Sequence, residues 1–422
     1  MSSDDLADPG GGIQAGGVRS TLVRWESLGL LAGMIAISLN QRPSLVAVGA
    51  LTAQVRADTG MSASAVSLLT TLPLLCFGAV AAAAAPASRR WGTDRTLVVA
   101  LAVLAAGIAL RLLPSIPALF VGSAIAGIGI AVTNVLLPGV IKRDYPERVG
   151  LMMGVYSLCL NGGAALAAAA SVPIGAALHT NWRVALASWG LLTILALLLW
   201  LPRAVARPEA LDAQTSSSLH LWRSPLAWAV AGYMGLQSLI YYALVAWLPT
   251  VFHDAGMSEA GAGAMVGVLS VTGMAASLAV PIVATRLANQ RPLVLVSVFG
   301  FAIGLIGLVV NPLGGALLWS SLVGVAQGAG IGLALTLFVL RSRSAAAAAE
   351  LSGMAQAVGY LVAAGGPVAV GVLHDVTHGW GASVVALLAA TAALLAAGWI
   401  AGADRFVERD RAGPRTAASV AD

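Results

Sequence analysis

The feature that most constrains this chain is the regular succession of its apolar runs. They cover 25–51, 64–87, 95–113, 116–141, 149–177, 182–202, 224–252, 261–285, 292–310, 313–340, 349–373 and 380–402, parted by short polar breaks. Each matches the length of about 20 residues that a helix needs to cross a bilayer. In hydrocarbon, every backbone polar group must bond inside its own segment or close a barrel. Long Ala-, Leu- and Gly-rich runs therefore predict an all-α membrane protein with twelve transmembrane helices. Composition agrees. Only 10% of the 422 residues are charged and 59% are hydrophobic, against about 25% charged in a soluble domain. The aqueous loops are too short to hold an enzyme domain.

Within the first run, one residue is out of place. Ile37-Ser38-Leu39-Asn40-Gln41-Arg42-Pro43-Ser44 sets an arginine between an amide pair and a proline, with apolar sequence on both sides. A guanidinium at membrane depth costs at least about 2.5–3.5 kcal/mol. It is expected to turn inward, toward a partner or a water-filled cavity. Pro43 removes a donor and disfavours helical geometry at Arg42, which predicts a broken helix beside a cation. That combination suits a small anion. The alternative is a structural charge bonded to carbonyls.

Lys and Arg gather in alternate loops, as at Arg89, Arg90 and Arg95, at Lys142, Arg143 and Arg148, and at Arg286 and Arg291. The positive-inside rule puts those loops, and both termini, on the cytoplasmic side. The predicted organisation is a disordered cytoplasmic tail (1–21), an N-terminal six-helix bundle (22–203), a cytoplasmic linker (204–223), a C-terminal six-helix bundle (224–402) and a cytoplasmic tail (403–422). The halves echo each other. Asp58-Thr59-Gly60-Met61-Ser62 follows the first run, and Asp254-Ala255-Gly256-Met257-Ser258 follows the seventh. Gly175-Ala176-Ala177-Leu178-His179 is echoed by Gly371-Val372-Leu373-His374. A parallel repeat of this kind places a substrate site between the halves, near mid-membrane.

Polar side chains inside the runs are few: Asn134, Tyr156 and Asn161, then Gln237, Tyr241 and Tyr242, then Gln327, then Gln356 and Tyr360. Gln237/Tyr241 and Gln356/Tyr360 each share a helix face. The substrate-binding set expected around Arg42 is Asn40, Asn134, Gln237, Tyr241, Gln327, Gln356 and Tyr360. Plain interhelical hydrogen bonding is the alternative for each. No Asp or Glu lies in the middle of a run, so the embedded carboxylate relay of many proton-driven carriers is missing.

Other chemistry finds little support. There is no GxxxxGK[ST] phosphate loop. Gly328-x-Gly330-x-Gly332 sits mid-run and reads as helix packing, as do Gly263/Gly267, Gly300/Gly304 and Gly324. Cys76 and Cys159 read as small core residues. His374-Asp375-x-x-His378 has metal-like spacing but falls in a predicted outer loop. No catalytic cluster emerges, and no cofactor or metal is expected. The expected partners are a small-molecule substrate and the lipid bilayer, with no nucleic acid, for a chain acting as a monomer.

The motifs resemble those of the major facilitator superfamily, and within it the cyanate permease and nitroimidazole transporter branch. They are Asn40-Gln41-Arg42-Pro43, Asn134-Val135-Leu136-Leu137-Pro138 with Ile141-Lys142-Arg143-Asp144, Met234-Gly235-Leu236-Gln237-Ser238, Ala246-Trp247-Leu248-Pro249, Gln327-Gly328, Ala334-Leu335-Thr336-Leu337 and Met354-Ala355-Gln356 with Gly359-Tyr360-Leu361. The resemblance implies two six-helix bundles, alternating access in a bacterial inner membrane, and a small anion or small polar heterocycle as cargo. Two departures stand out. Arg89 occupies the place of the superfamily's usual acid between the second and third spans, and Gln41 replaces the branch's Leu. The rival expectations are an efflux carrier for hydrophobic compounds, indifferent to Arg42, and a membrane sensor that binds without transporting.

Overall fold

The computed structural model describes residues 28–178, 181–206 and 221–408. Most of the predicted tails and of the predicted linker lies outside these residues. Among the described residues, eleven helical segments are long and apolar enough to cross a membrane. The first predicted span is the broken one. It runs as α1 (28–39), α2 (Pro43–Ala50) and α3 (Thr52–Thr59).

The remaining helices of the first half are α4 (Ala63–Trp91), α5 (Thr93–Leu110), α6 (Ile116–Asp144), α7 (Val149–Ala177), and α8 (Trp182–Ser188) followed at once by α9 (Gly190–Ala206). The second half comprises α10 (Pro225–Asp254), α11 (Glu259–Ala284), α12 (Arg291–Val310), α13 (Ala316–Leu340), α14 (Ala345–Thr377) and α15 (Gly381–Ala401). Within the halves, α5 packs on α6 and α11 on α13. Between them, α4 and α6 pack on α14, and α7 on α11.

The break in the first span follows from Pro43. It has no N–H, so the Leu39 carbonyl loses its helical partner. Arg42 opens to φ −115° while Pro43 starts α2 at its first position. The freed turn is stitched from outside by Arg111, whose Nη1 donates to the Ser44 carbonyl at 2.8 Å and to Ser44 Oγ at 3.1 Å.

The internal repeat has a structural cause. Gly60 (φ 68°) and Gly256 (φ 99°) take positive backbone angles that glycine adopts without strain. Ser62 and Ser258 then cap the next helices, accepting from Ala65 N and Gly261 N. Asp58 accepts from Trp182 Nε1 at 3.1 Å, and Asp254 from Trp380 Nε1 at 3.0 Å. Each Asp-x-Gly-Met-Ser is thus a helix stop, a helix start and a tie to the last span of its own half.

A second echo lies at the end rich in arginine, here called the basic end. Buried Asp94 bonds Arg143 and Arg203, and Asp144 bonds the same two arginines. In the second half, Gln290 accepts from Arg341.

Two expectations are corrected. Gly263 and Gly267 meet nothing within 4 Å, so they mark no helix contact. The Gly324/Gly328/Gly332 stripe does lie against α11, because a Cβ at Gly328 would overlap the Gly273 carbonyl. His374 and Asp375 are not in a loop but in the last turn of α14. His374 lies tilted against Trp380 with ring centres 4.1 Å apart, and the described residues hold no group of three or more metal-binding side chains.

Candidate functional site

Arg42 stands at the break, as the cap of α2, where no helical neighbour fixes its side chain. Its guanidinium crosses to the second half and donates from Nη1 to Tyr242 Oη at 2.6 Å. A guanidinium carries five N–H donors. The others have no partner among the described residues, and Arg42 is only half-buried. Tyr241 tilts against Tyr242 with ring centres 5.2 Å apart. Tyr241, Tyr360 and Tyr156 all stand within electrostatic reach of the cation.

Beside Arg42 lies a second cluster, built by another proline. Pro138 sits four residues after Asn134 and removes the N–H that would bond the Asn134 carbonyl. Gln356 Nε2 of α14 takes that carbonyl at 3.2 Å, and Ser352 Oγ at 2.8 Å. The Asn134 side chain is used at both ends. Its Nδ2 donates to Tyr360 Oη at 3.3 Å, and its Oδ1 accepts from Tyr156 Oη. The Tyr360 ring stacks on Phe77 at 4.8 Å, interplanar angle 22°. Three helices of the first half and one of the second thus meet in a single aromatic and amide cluster.

The sequence-derived set divides accordingly. Arg42, Asn134, Tyr241, Gln356 and Tyr360 come together. Asn40 is spent inside its own half, exchanging hydrogen bonds of 2.9 and 3.1 Å with Thr193. Gln237 donates to Met234 O at 3.0 Å and Ser238 Oγ at 2.6 Å, and faces Gly330. Gln327 points its Oε1 at Gly273, in the packing of α13 on α11. Sequence reasoning left out Tyr242, Tyr156 and Phe77. The first two stood among the polar residues of the runs, but nothing in the sequence marked Phe77. Gln41 is buried with neither amide atom bonded among the described residues.

The basic end closes the space below this site. Arg89 of α4 pairs with Glu350 of α14. Lys142, the only lysine, donates from the end of α6 to Val339 O at 2.8 Å and Ser342 O at 2.5 Å, at the end of α13. The arginine in the usual place of an acid therefore has a carboxylate partner across the seam, supplied from α14.

A cation and tyrosine hydroxyls at the seam of two helix bundles can bind an anionic or polar solute. Comparison with known families decides what kind of protein carries it. The model described as Major Facilitator Superfamily matches residues 30–367. The chain belongs to the major facilitator superfamily. It is therefore a multi-pass membrane transporter, not an enzyme. The 2-nitroimidazole transporter of Escherichia coli is 40% identical over 381 residues, spanning 90% of this chain and 96% of that protein. The cyanate transport protein CynX of Escherichia coli is 30% identical over 349 residues, spanning 82% and 90%. Among solved structures, the proton:xylose symporter XylE bound to 6-bromo-6-deoxy-D-glucose superposes with a TM-score of 0.69 at 15% identity, covering 90% of this chain and 95% of that one. At that identity the likeness shows the superfamily fold alone.

Proposed function

We propose that this transporter carries a small anion or a small planar polar solute, of the cyanate or azole kind, bound at Arg42 between the halves. The observation that carries the reading is the Arg42 guanidinium: one N–H bonded across the seam to Tyr242 and the rest without a partner among the described residues, with tyrosines around it. A positive group and hydroxyl donors recognise an anionic oxygen or a heterocycle nitrogen. The ring faces of Tyr241/Tyr242 and Phe77/Tyr360 suit a flat solute. The names of the two relatives support the same class. The site lies between halves that are tied together at the basic end, so in this conformation solute reaches it from the opposite end, and exchange at the basic end requires the Arg89 and Lys142 contacts to part. Both termini and the basic end face the cytoplasm of a bacterial inner membrane in this reading, in keeping with the arginine-rich loops.

The test is counterflow in proteoliposomes and ligand-induced thermal shift, with cyanate and 2-nitroimidazole as probes. A charge-assisted hydrogen bond contributes about 1.5–3 kcal/mol. Arg42→Gln is therefore expected to lose roughly ten- to hundredfold in affinity. Undiminished transport of either solute by a well-folded Arg42→Gln protein refutes the assignment.

A further inference from the structure

Away from Arg42, at the basic end, a groove of about 670 Å³ opens along the seam of the two halves. One wall is the turn Pro146–Arg148 and the start of α7. The other is the end of α11, the Arg286 turn and the end of α13. At its floor the halves touch, since a Cβ at Gly150 would come within 2.9 Å of the Pro281 carbonyl. Four cations line the groove, Lys142, Arg148, Arg286 and Arg341, against Glu147 and Asp404. Lys142 and Arg341 hold backbone carbonyls. The side chains of Arg148 and Arg286 are exposed and have no hydrogen bond or ion pair among the described residues.

The internal repeat explains why positive charge is left over here. In the first half Asp94 and Asp144 balance Arg143 and Arg203. In the second, the place of Asp94 is taken by the neutral amide of Gln290, bonded to Arg341. Among the described residues, the carboxylate paired with Arg341 is Asp404 at 3.6 Å, itself 70% exposed. Burial pushes the Arg341 guanidinium below its usual range, against the pull of Asp404. A buried cation whose carboxylate partner is largely exposed to solvent favours an added anion. We propose that this groove binds a phosphate-bearing anion, gripped by Arg148 of one half and Arg286 of the other with Arg341 behind them, and that its occupancy holds the basic end shut. Arginine forks match phosphate oxygens. A ligand that needs both walls binds only the closed state, and shifts the equilibrium toward it by that difference in affinity. Exchange of solute across the membrane then slows. The phosphate source is a soluble ion or a lipid headgroup; the exposed apolar side chains of Leu151 and Phe406 at the rim fit the latter.

The experiment uses full-length protein at constant ionic strength. One arm adds inorganic phosphate, and the other replaces phosphatidylcholine by phosphatidylglycerol. Thermal stability is read in neutral detergent for the first arm and in nanodiscs for the second, and counterflow of cyanate or 2-nitroimidazole is read in proteoliposomes, of phosphatidylcholine with added phosphate or of the two lipids compared. A stabilisation and a slowing of counterflow in either arm, each at least tenfold less sensitive to ligand in Arg148→Gln/Arg286→Gln, support the site; the arm that responds identifies the source. Arg90→Gln/Arg95→Gln removes two exposed cations elsewhere on the same end and is expected to respond like the parent. No response in either arm overturns the proposal. So does an equal loss in both double variants, which marks general counterion binding.

Discussion

Replacing Lys142 by Met removes the only lysine and, with it, a tie across the seam while keeping a long apolar stem. Its ammonium donates to Val339 O and Ser342 O, at 2.8 and 2.5 Å. These carbonyls stand at the C-terminal end of α13, where the helix dipole favours a cation. Two hydrogen bonds to a charged group are worth about 3–6 kcal/mol at face value. Lys142 is only half-buried and the freed carbonyls gain water, so about 2 kcal/mol is the realistic loss. At 1.4 kcal/mol per factor of ten, that shifts the balance at the basic end about 30-fold toward open. A carrier that cycles keeps its two states within a few kcal/mol, so the shift is measurable. Spin labels at exposed Arg95 and Arg405, in a background lacking Cys76 and Cys159, report the separation of the halves by electron–electron resonance. Lys142→Met is expected to raise a long-distance population, and Lys142→Arg to keep the short one. Identical distance distributions in Lys142→Met and the parent refute the idea that this lysine holds the end closed.

Three further outcomes are expected. Gly328→Ala forces α13 away from the Gly273 carbonyl and costs about 3 kcal/mol of stability; Gly263→Ala, with nothing within 4 Å, stabilises by about 0.5–1 kcal/mol, and thermal unfolding in detergent distinguishes the signs. Arg89→Glu and Glu350→Arg each lower stability, whereas the swapped pair restores it, with a coupling of about 0.5 kcal/mol because Arg89 is 44% exposed; a double-mutant cycle on melting temperature measures it. Asp254→Ala loses the Trp380 bond and about 1 kcal/mol; its repeat partner Asp58→Ala loses more, since Arg183 stands 4.0 Å from that carboxylate.

Much of the architecture was legible because lipid restricts what a chain can do. The broken first span could be read from Pro43 beside Arg42, since a missing donor and a misplaced charge are local facts. Asp58-x-Gly60-x-Ser62 marked the repeat for the same reason: a positive φ and a helix cap leave a signature within five residues. The site was legible at its charge and much less so around it. Adjacent Tyr241 and Tyr242 point about 100° apart on a helix, and only the rotation of α10 in its bundle decides which meets Arg42. Asn40 was lost from the expected set because its partner, Thr193, lies in another span and has no sequence neighbour to announce it. The carboxylate that answers Arg89, Glu350, is again non-local. Asn134 could have been read more sharply. A proline four residues after an amide in a span predicts a free carbonyl, and that carbonyl is what Gln356 takes.

The helix α14 carries both Glu350 and the Gln356/Tyr360 pair, about 9 and 15 Å apart along one continuous rod. A tilt of this rod that parts Glu350 from Arg89 also draws Gln356 and Tyr360 away from Asn134. The cluster is then taken apart by the same motion that unlocks the door. Under the proposed function, a solute that leans on both α6 and α14 loses one of its two supports as the basic end parts, and its departure requires no separate trigger.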